Sequence, residues 1–139
     1  MRVCLDTNVL VSAVATRGIC ADILQVVLAE HLLVLGETVL AQFRRVLREK
    51  MHVPEAAISE AEALLRREAV VITQSAEIAV ELRDPDDVLV LAEAGASLAD
   101  VLVTGDRDFL DVADRLPVEA LSPRQFWERL QEGGGTESS

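Results

Sequence analysis

Tyrosine is missing from this chain, and the other aromatics amount to three phenylalanines and one tryptophan. A core so poor in large rings has to be assembled from Leu, Val, Ile and Ala, which suits helices around a buried sheet better than an aromatic-rich sandwich. Lysine is almost missing too: Lys50 is the only one, and the remaining cations are arginines. Thirteen Lys and Arg stand against 24 Asp and Glu, a formal charge of -11. That argues against broad, nonspecific attraction to nucleic acid, because phosphate binding is driven mainly by Lys and Arg. It leaves room for a nucleic-acid enzyme, since metal-binding aspartates make a chain more acidic than its surface is once the ion is bound. The two cysteines, Cys4 and Cys20, form no CxxC pair, and with only His31 and His52 besides, a zinc site is not expected. Cys4 reads as a small buried hydrophobe in an apolar strand. Glu30, His31, Glu37 and Gln42 interrupt the apolar runs, so none is expected to span a bilayer, and Asp6 would break a signal peptide. A reducing cytoplasm and no membrane contact are the expectation.

What is present is alternation. The 139 residues, half of them apolar, suit one domain, expected over residues 1–131, with a polar, glycine-rich tail over 132–139 that reads as disordered. Arg2 to Leu5 predicts a short buried strand and Asn8 to Ala15 a buried helix, broken at Arg17-Gly18. Ala21 to Ala29 resumes helical spacing, and Leu32 to Leu35 predicts a strand closed by Gly36. Glu37 to Lys50 is the clearest amphipathic helix, with Val39, Leu40, Phe43, Val46 and Leu47 on one stripe. A further helix runs from Pro54 through Arg67, Val70 to Ile72 reads as a short strand, and Ile78 to Leu82 fits either state. Another helix starts at Asp84-Pro85 and runs to about Ala96. Val101 to Thr104 is a strand ending at Gly105, Asp106 to Val112 at most a short helix, Val118 to Leu121 a strand, and Pro123 to Leu130 a last helix. Strands alternating with helices predict an α/β fold, a three-layer α/β/α sandwich around a mainly parallel sheet.

Acidic residues recur where these strands end. In open α/β sheets the carboxyl ends of the strands form the ligand crevice. Asp6 follows the first strand, Asp87 closes DPDD, and Asp106 and Asp108 lie in VTGDRDF. Carboxylates gathered there repel one another unless a multivalent cation or shifted pKa values relieve them. Each has a plainer reading. Asp6, Asp84 and Asp106 fit helix N-caps, and Asp87 a reciprocal cap. In the DPDD segment the two roles are compatible, since Asp84 can cap while Asp87 turns toward the crevice; for Asp6 and Asp106 the cap and the ligand readings both stay open. Thr7 and Asn8 are placed to fix the Asp6 carboxylate, Thr104 to orient a ligand or water, and Gly105 to let the backbone turn or approach a ligand. Gln42 sits on the amphipathic helix beside Phe43, with Arg45 one turn on. Arg44, Arg45, Arg48, Arg66 and Arg67 read either as a local basic patch or as a solvated face of ion pairs.

Together DTNVLVSA, DPDDVLVLAEA and VLVTGDRDFL resemble the PIN domain family in order and spacing, over nearly the whole chain. That family includes the VapC-like ribonuclease toxins of bacterial toxin–antitoxin pairs and RNA-processing nucleases, and the DPDD…VTGD pattern is similar to the toxin subgroup. The resemblance implies a helix-covered parallel sheet and acids grouped around Mg²⁺ or Mn²⁺. Matched by motif, Asp6, Asp87 and Asp106 are the catalytic metal ligands and Asp108 the accessory acid, with Asn8 and Thr104 the polar support. The partners it implies are an RNA substrate and a cognate antitoxin protein, and it admits a homodimer. The chain departs from the pattern in LAQFRRVL, where Gln42 stands in place of the usual Glu. It departs again at Val88 and Leu89, where polar residues are usual. Glutamine keeps one oxygen for a metal but loses the charge and the bidentate grip.

Two functions follow as expectations. One is metal-dependent hydrolysis of RNA phosphodiester bonds, with Arg45 or Arg107 holding the phosphate backbone. The other is a degenerate, weakly active or inactive PIN domain that binds an antitoxin, RNA or another protein; Glu37, Glu93 or another acid is left as a candidate to compensate for Gln42. Other phosphate enzymes on this architecture lack a needed residue. A haloacid-dehalogenase-like phosphatase wants Asp where Asn8 stands, and a receiver domain wants a late Lys, which Lys50 is not.

Overall fold

The computed structural model of the chain describes residues 1–73, 85–111 and 118–137. Strands β1 (Arg2–Leu5), β2 (Leu32–Gly36), β3 (Val70–Ile72), β4 (Val101–Val103) and β5 (Glu119–Leu121) form one sheet in the order β3-β2-β1-β4-β5. Every pairing is parallel, with Val3 beside Leu33 on one side and Val101 on the other. Three of the strands are buried along consecutive residues: Val3 to Leu5, Leu33 to Leu35 and Val101 to Val103 are each at most 2% exposed. Successive strand side chains point to opposite faces, so both faces of the sheet are covered. The covering helices are α1 (Thr7–Ala15), α2 (Ile19–Glu30), α3 (Glu37–Glu49), α4 (Glu55–Glu68), α5 (Pro85–Ala96), α6 (Arg107–Leu110) and α7 (Pro123–Glu137). The expected α/β/α sandwich is what the chain forms. All three phenylalanines, Phe43, Phe109 and Phe126, are fully buried, one each from α3, α6 and α7. The few large side chains are thus used to seat three helices on the sheet. Cys4 is buried as expected, its thiol pushed up to about 12 by desolvation and by the nearby Asp6 and Glu93 charges, which leaves it a packing residue.

Most boundaries lie within two residues of those expected from periodicity. The last helix differs more: it continues past Leu130 to Glu137, into the stretch expected as a tail. Glycines weaken a helix there, but no proline stops it. Ile78 to Leu82 and Asp84 lie outside the described residues.

The strand order places a topological switch beside β1. From β1 the chain steps outward to β2 and β3, then returns to the other side of β1 with β4 and β5. At such a switch the connections leave in opposite directions and a crevice opens at the carboxyl ends of the two central strands. Asp6 follows β1 and Thr104 follows β4, so both stand at that crevice. The strand ends are tied directly, with the Asp6 amide donating to the Val103 carbonyl at 2.9 Å.

Helix α3 is anchored from another element. Its N-cap, Gly36, has no side chain with which to cap it. Instead Glu93 of α5, itself 7% exposed, accepts from the Thr38 amide on both carboxylate oxygens, at 3.1 and 3.3 Å. Burial raises the Glu93 carboxyl above the ordinary glutamate range, while the Thr38 side chain and then the Thr38 and Glu37 amides pull it back and the Glu37 charge adds to the rise. The carboxylate at the positive end of α3 is in the place the helix dipole favours. Glycine at position 36 makes room for it: a Cβ there would stand 2.4 Å from Glu93 Oε1 and 2.7 Å from Glu93 Cβ. The second clash involves an atom fixed to the α5 backbone, so it cannot be relieved by a side-chain swing. Gly105 is different, since its φ is not left-handed and a Cβ there would meet nothing within 4 Å. Gly36→Ala is therefore expected to lower unfolding free energy by about 1–3 kcal/mol in urea denaturation, as overpacking does. Gly105→Ala should stay within about 0.5 kcal/mol of the parent, as an unhindered surface change does.

Candidate metal and phosphate site

The crevice at the switch point holds a polar cavity of about 210 Å³. Asp6, Asp87 and Asp106 line it together with Thr7, Asn8 and Gln42, and its remaining wall comes from Arg45, Val46 and Lys50 of α3. Three acids separated by as many as 100 positions in sequence thus open into one space. Each stands at the start of a helix. Asp6 is the N-cap of α1, with Oδ1 accepting from the Thr7 amide at 2.8 Å. Asp106 is the N-cap of α6, with Oδ1 accepting from the Asp108 amide at 2.8 Å. Asp87 lies in the first turn of α5. The capping reading and the site reading of these residues therefore coexist.

A buried hydroxyl joins two of the three. Thr104, with no exposed surface, donates from Oγ1 to Asp6 Oδ2 at 2.8 Å. The same oxygen accepts from the Asp106 amide at 3.0 Å. Asp6 is only 5% exposed. Burial pushes its carboxyl above the ordinary aspartate range; the hydrogen bonds from Thr104 and Thr7 act against that, and the Asp106 charge adds to it. The positive charge that would relieve Asp6 has to come from outside the acid cluster.

The cavity suits a hydrated hard cation. Its donors are carboxylate, amide and hydroxyl oxygens, the set preferred by Mg²⁺, Ca²⁺ and Mn²⁺. Among the described residues no three His, Cys, Asp or Glu side chains converge into a ready-made metal cage. Mg²⁺ does not need one, since it keeps several waters and takes one or two carboxylates. Asp6, Asp87 and Asp106 are the residues that could hold such an ion, directly or through water.

Other expected residues fall in different places. Asp108 and Arg107 are not among the residues lining the cavity; Arg107 is exposed and the Asp108 amide supports Asp106. Thr104 acts from beneath the cavity rather than in its wall. Gln42 does line it, and its Oε1 accepts from the Thr7 hydroxyl. No acid has moved in to replace it among the described residues: Glu37 pairs with Arg66 at 2.8 Å, and Glu93 is committed to the start of α3. The arginine group divides. Arg44 pairs with Glu62 at 2.7 Å, Arg66 with Glu62 at 2.8 Å, and Arg48 with Glu55, which makes most of it an ion-paired face between α3 and α4. Arg45 is among the residues lining the cavity. Lys50 also lines it, and sequence reasoning missed it, because a lysine at a helix end reads first as a partner for the helix dipole.

The PIN domain family model matches residues 2–108. A crystal structure of VapBC2 from Rickettsia felis, bound to a DNA fragment from their promoter, has a similar fold. The likeness has a TM-score of 0.67 at 16% identity and covers 88% of this chain and 98% of that one. No curated protein matches the sequence.

The Thr104 hydroxyl is the most exacting of these contacts. Thr104→Val keeps the shape but removes a donor from Asp6 and an acceptor from the Asp106 amide. It is expected to cost about 1–3 kcal/mol in chelator-treated urea unfolding and to weaken Mn²⁺ binding roughly 10–100-fold by calorimetry. Thr104→Ser, which retains the hydroxyl, should recover most of both.

Proposed function

The chain belongs to the PIN domain family, and from that premise we propose that it is a Mg²⁺- or Mn²⁺-dependent endoribonuclease, the toxin component of a toxin–antitoxin pair. The observation that carries the reading is the single cavity where Asp6, Asp87 and Asp106 meet Arg45 and Lys50. Acids for a cation and bases for a phosphate, side by side, fit a phosphodiester better than either would alone.

Asp6, Asp87 and Asp106 would hold the ion. A divalent ion there supplies a lowered water pKa and positive charge for the phosphoryl oxygens. The chain's own residues do the rest. Thr7 and Thr104 fix the Asp6 carboxylate by hydrogen bonds to its two oxygens. The starts of α1, α5 and α6 favour negative charge where the acids sit. Arg45 and Lys50 bring positive charge for the phosphate backbone to the same cavity wall. The fold likeness to VapBC2 and the DPDD…VTGD pattern support the toxin assignment, and with it an antitoxin partner and a homodimer.

A second reading, a PIN domain that binds without cutting, has one observation in its favour. Gln42 brings no charge to the cavity, and its oxygen is already engaged by Thr7. Both readings are decided by cleavage of single-stranded RNA with Mn²⁺. The nuclease reading predicts cleavage by the parent and a loss of at least about a hundredfold in Asp6→Asn, some 3 kcal/mol of transition-state stabilisation. Gln42→Glu should bind Mn²⁺ about tenfold more tightly. Equal cleavage by parent and Asp6→Asn overturns the assigned site. A parent that neither cuts nor binds Mn²⁺ at millimolar concentration, beside a Gln42→Glu variant that does both, establishes the non-cutting reading.

A further inference from the structure

The acid cluster occupies only one end of the cavity. The other wall is a stripe of α3: Gln42, Val46 and Lys50 follow one another at i, i+4 and i+8, with Arg45 beside them. Residues at this spacing share a helix face. At about 1.5 Å of rise per residue the stripe leads roughly 12 Å away from Gln42. At the stacked spacing of about 3.4 Å per phosphate along one strand, that length spans about three nucleotides, and fewer for an extended strand.

The charges along α3 are sorted by what they face. Arg44 and Arg48 turn to α4 and its neighbouring acids, Glu62 and Glu55. Lys50 makes no ion pair with a described residue, and it lies at the C-cap of α3, exposed to solvent on the cavity side. In a chain of net charge -11 with a single lysine, a cation held at the mouth of an acidic cavity marks where an anion is tolerated. Gln42 contributes in the same sense. With its oxygen on Thr7, what it retains for a ligand is its N–H donors. The substitution that weakens the metal side of the cavity adds to the phosphate side.

We propose that the cavity face of α3, from Gln42 past Arg45 to Lys50, is a subsite for backbone phosphates flanking the scissile bond, with Lys50 the outermost contact. A single strand of nucleic acid then leaves the acid cluster along the C-terminal half of α3. The inference rests on the nuclease reading for the place of the scissile phosphate, but its test needs no cleavage and no metal.

The test is fluorescence anisotropy of a labelled single-stranded RNA oligonucleotide with the full chain in EDTA, over a series of salt concentrations. Each phosphate contact with a single strand contributes about 0.7 to the slope of log affinity against log salt. Lys50→Ala should therefore bind more weakly at low salt, with a slope shallower by about 0.7, and Lys50→Arg should restore the parent slope. Arg129→Ala, which breaks a surface pair with Glu119 away from the cavity, should leave the slope unchanged. An unaltered slope in Lys50→Ala, or no salt-dependent binding by the parent, overturns the subsite. A parent that binds with the predicted slopes but fails to cut RNA in Mn²⁺ defeats the nuclease reading and leaves the subsite standing.

Discussion

Like charge gathered at one end of a buried sheet is the constraint that the rest of this molecule answers. A carboxylate as enclosed as Asp6 is costly beside a second one, and the cost falls only through hydrogen bonds, dipoles or a counter-charge. The fold supplies the first two. Both Asp6 oxygens accept a hydrogen bond, one from Thr7 and one from Thr104, and the three cavity acids each sit at a helix start. Burial still holds the Asp6 carboxyl high. The third contribution, a cation, is the one the proposed function adds.

This geometry follows from chain order. Running outward from β1 to β3 and back to β4 puts the ends of β1 and β4 side by side. Asp6 and Thr104 inherit that proximity from the backbone, through the bond between the Asp6 amide and the Val103 carbonyl. The wall opposite is held by a different device. Glu93 of α5 grips the amide end of α3, so the helix that carries Asp87 also fixes the helix that carries Gln42, Arg45 and Lys50. Gly36 is the small residue that lets those two helices come together.

Much of this was legible in the residues because it is local. Strand ends followed by Asp, the Pro85 helix start and the stripe from Val39 to Leu47 all express short-range rules of capping and periodicity. The same rules kept two readings of Asp6 and Asp106 open, and the structure shows why no choice was needed: an N-cap at a switch point is at once a cap and a wall of the crevice. Long-range pairing was not legible. Whether Arg44, Arg48 and Arg66 formed a basic patch depended on how α4 would lie against α3, which sets Glu62 beside Arg44, Glu55 beside Arg48 and Arg66 beside Glu37. Glu93, set within VLVLAEA, gave no sign that it would cap another helix. Lys50 looked like the end of a helix rather than the edge of a cavity, because the acids that share the cavity with it, Asp6, Asp87 and Asp106, lie more than 30 residues away in sequence.

The account stands on one ion-sized position shared by Asp6, Asp87 and Asp106, and anomalous diffraction at the manganese edge from crystals grown with Mn²⁺ tests it most directly. It predicts one anomalous peak inside the cavity, within direct or water-bridged reach of all three carboxylates. An empty cavity at saturating Mn²⁺, or a peak elsewhere on the surface, contradicts it.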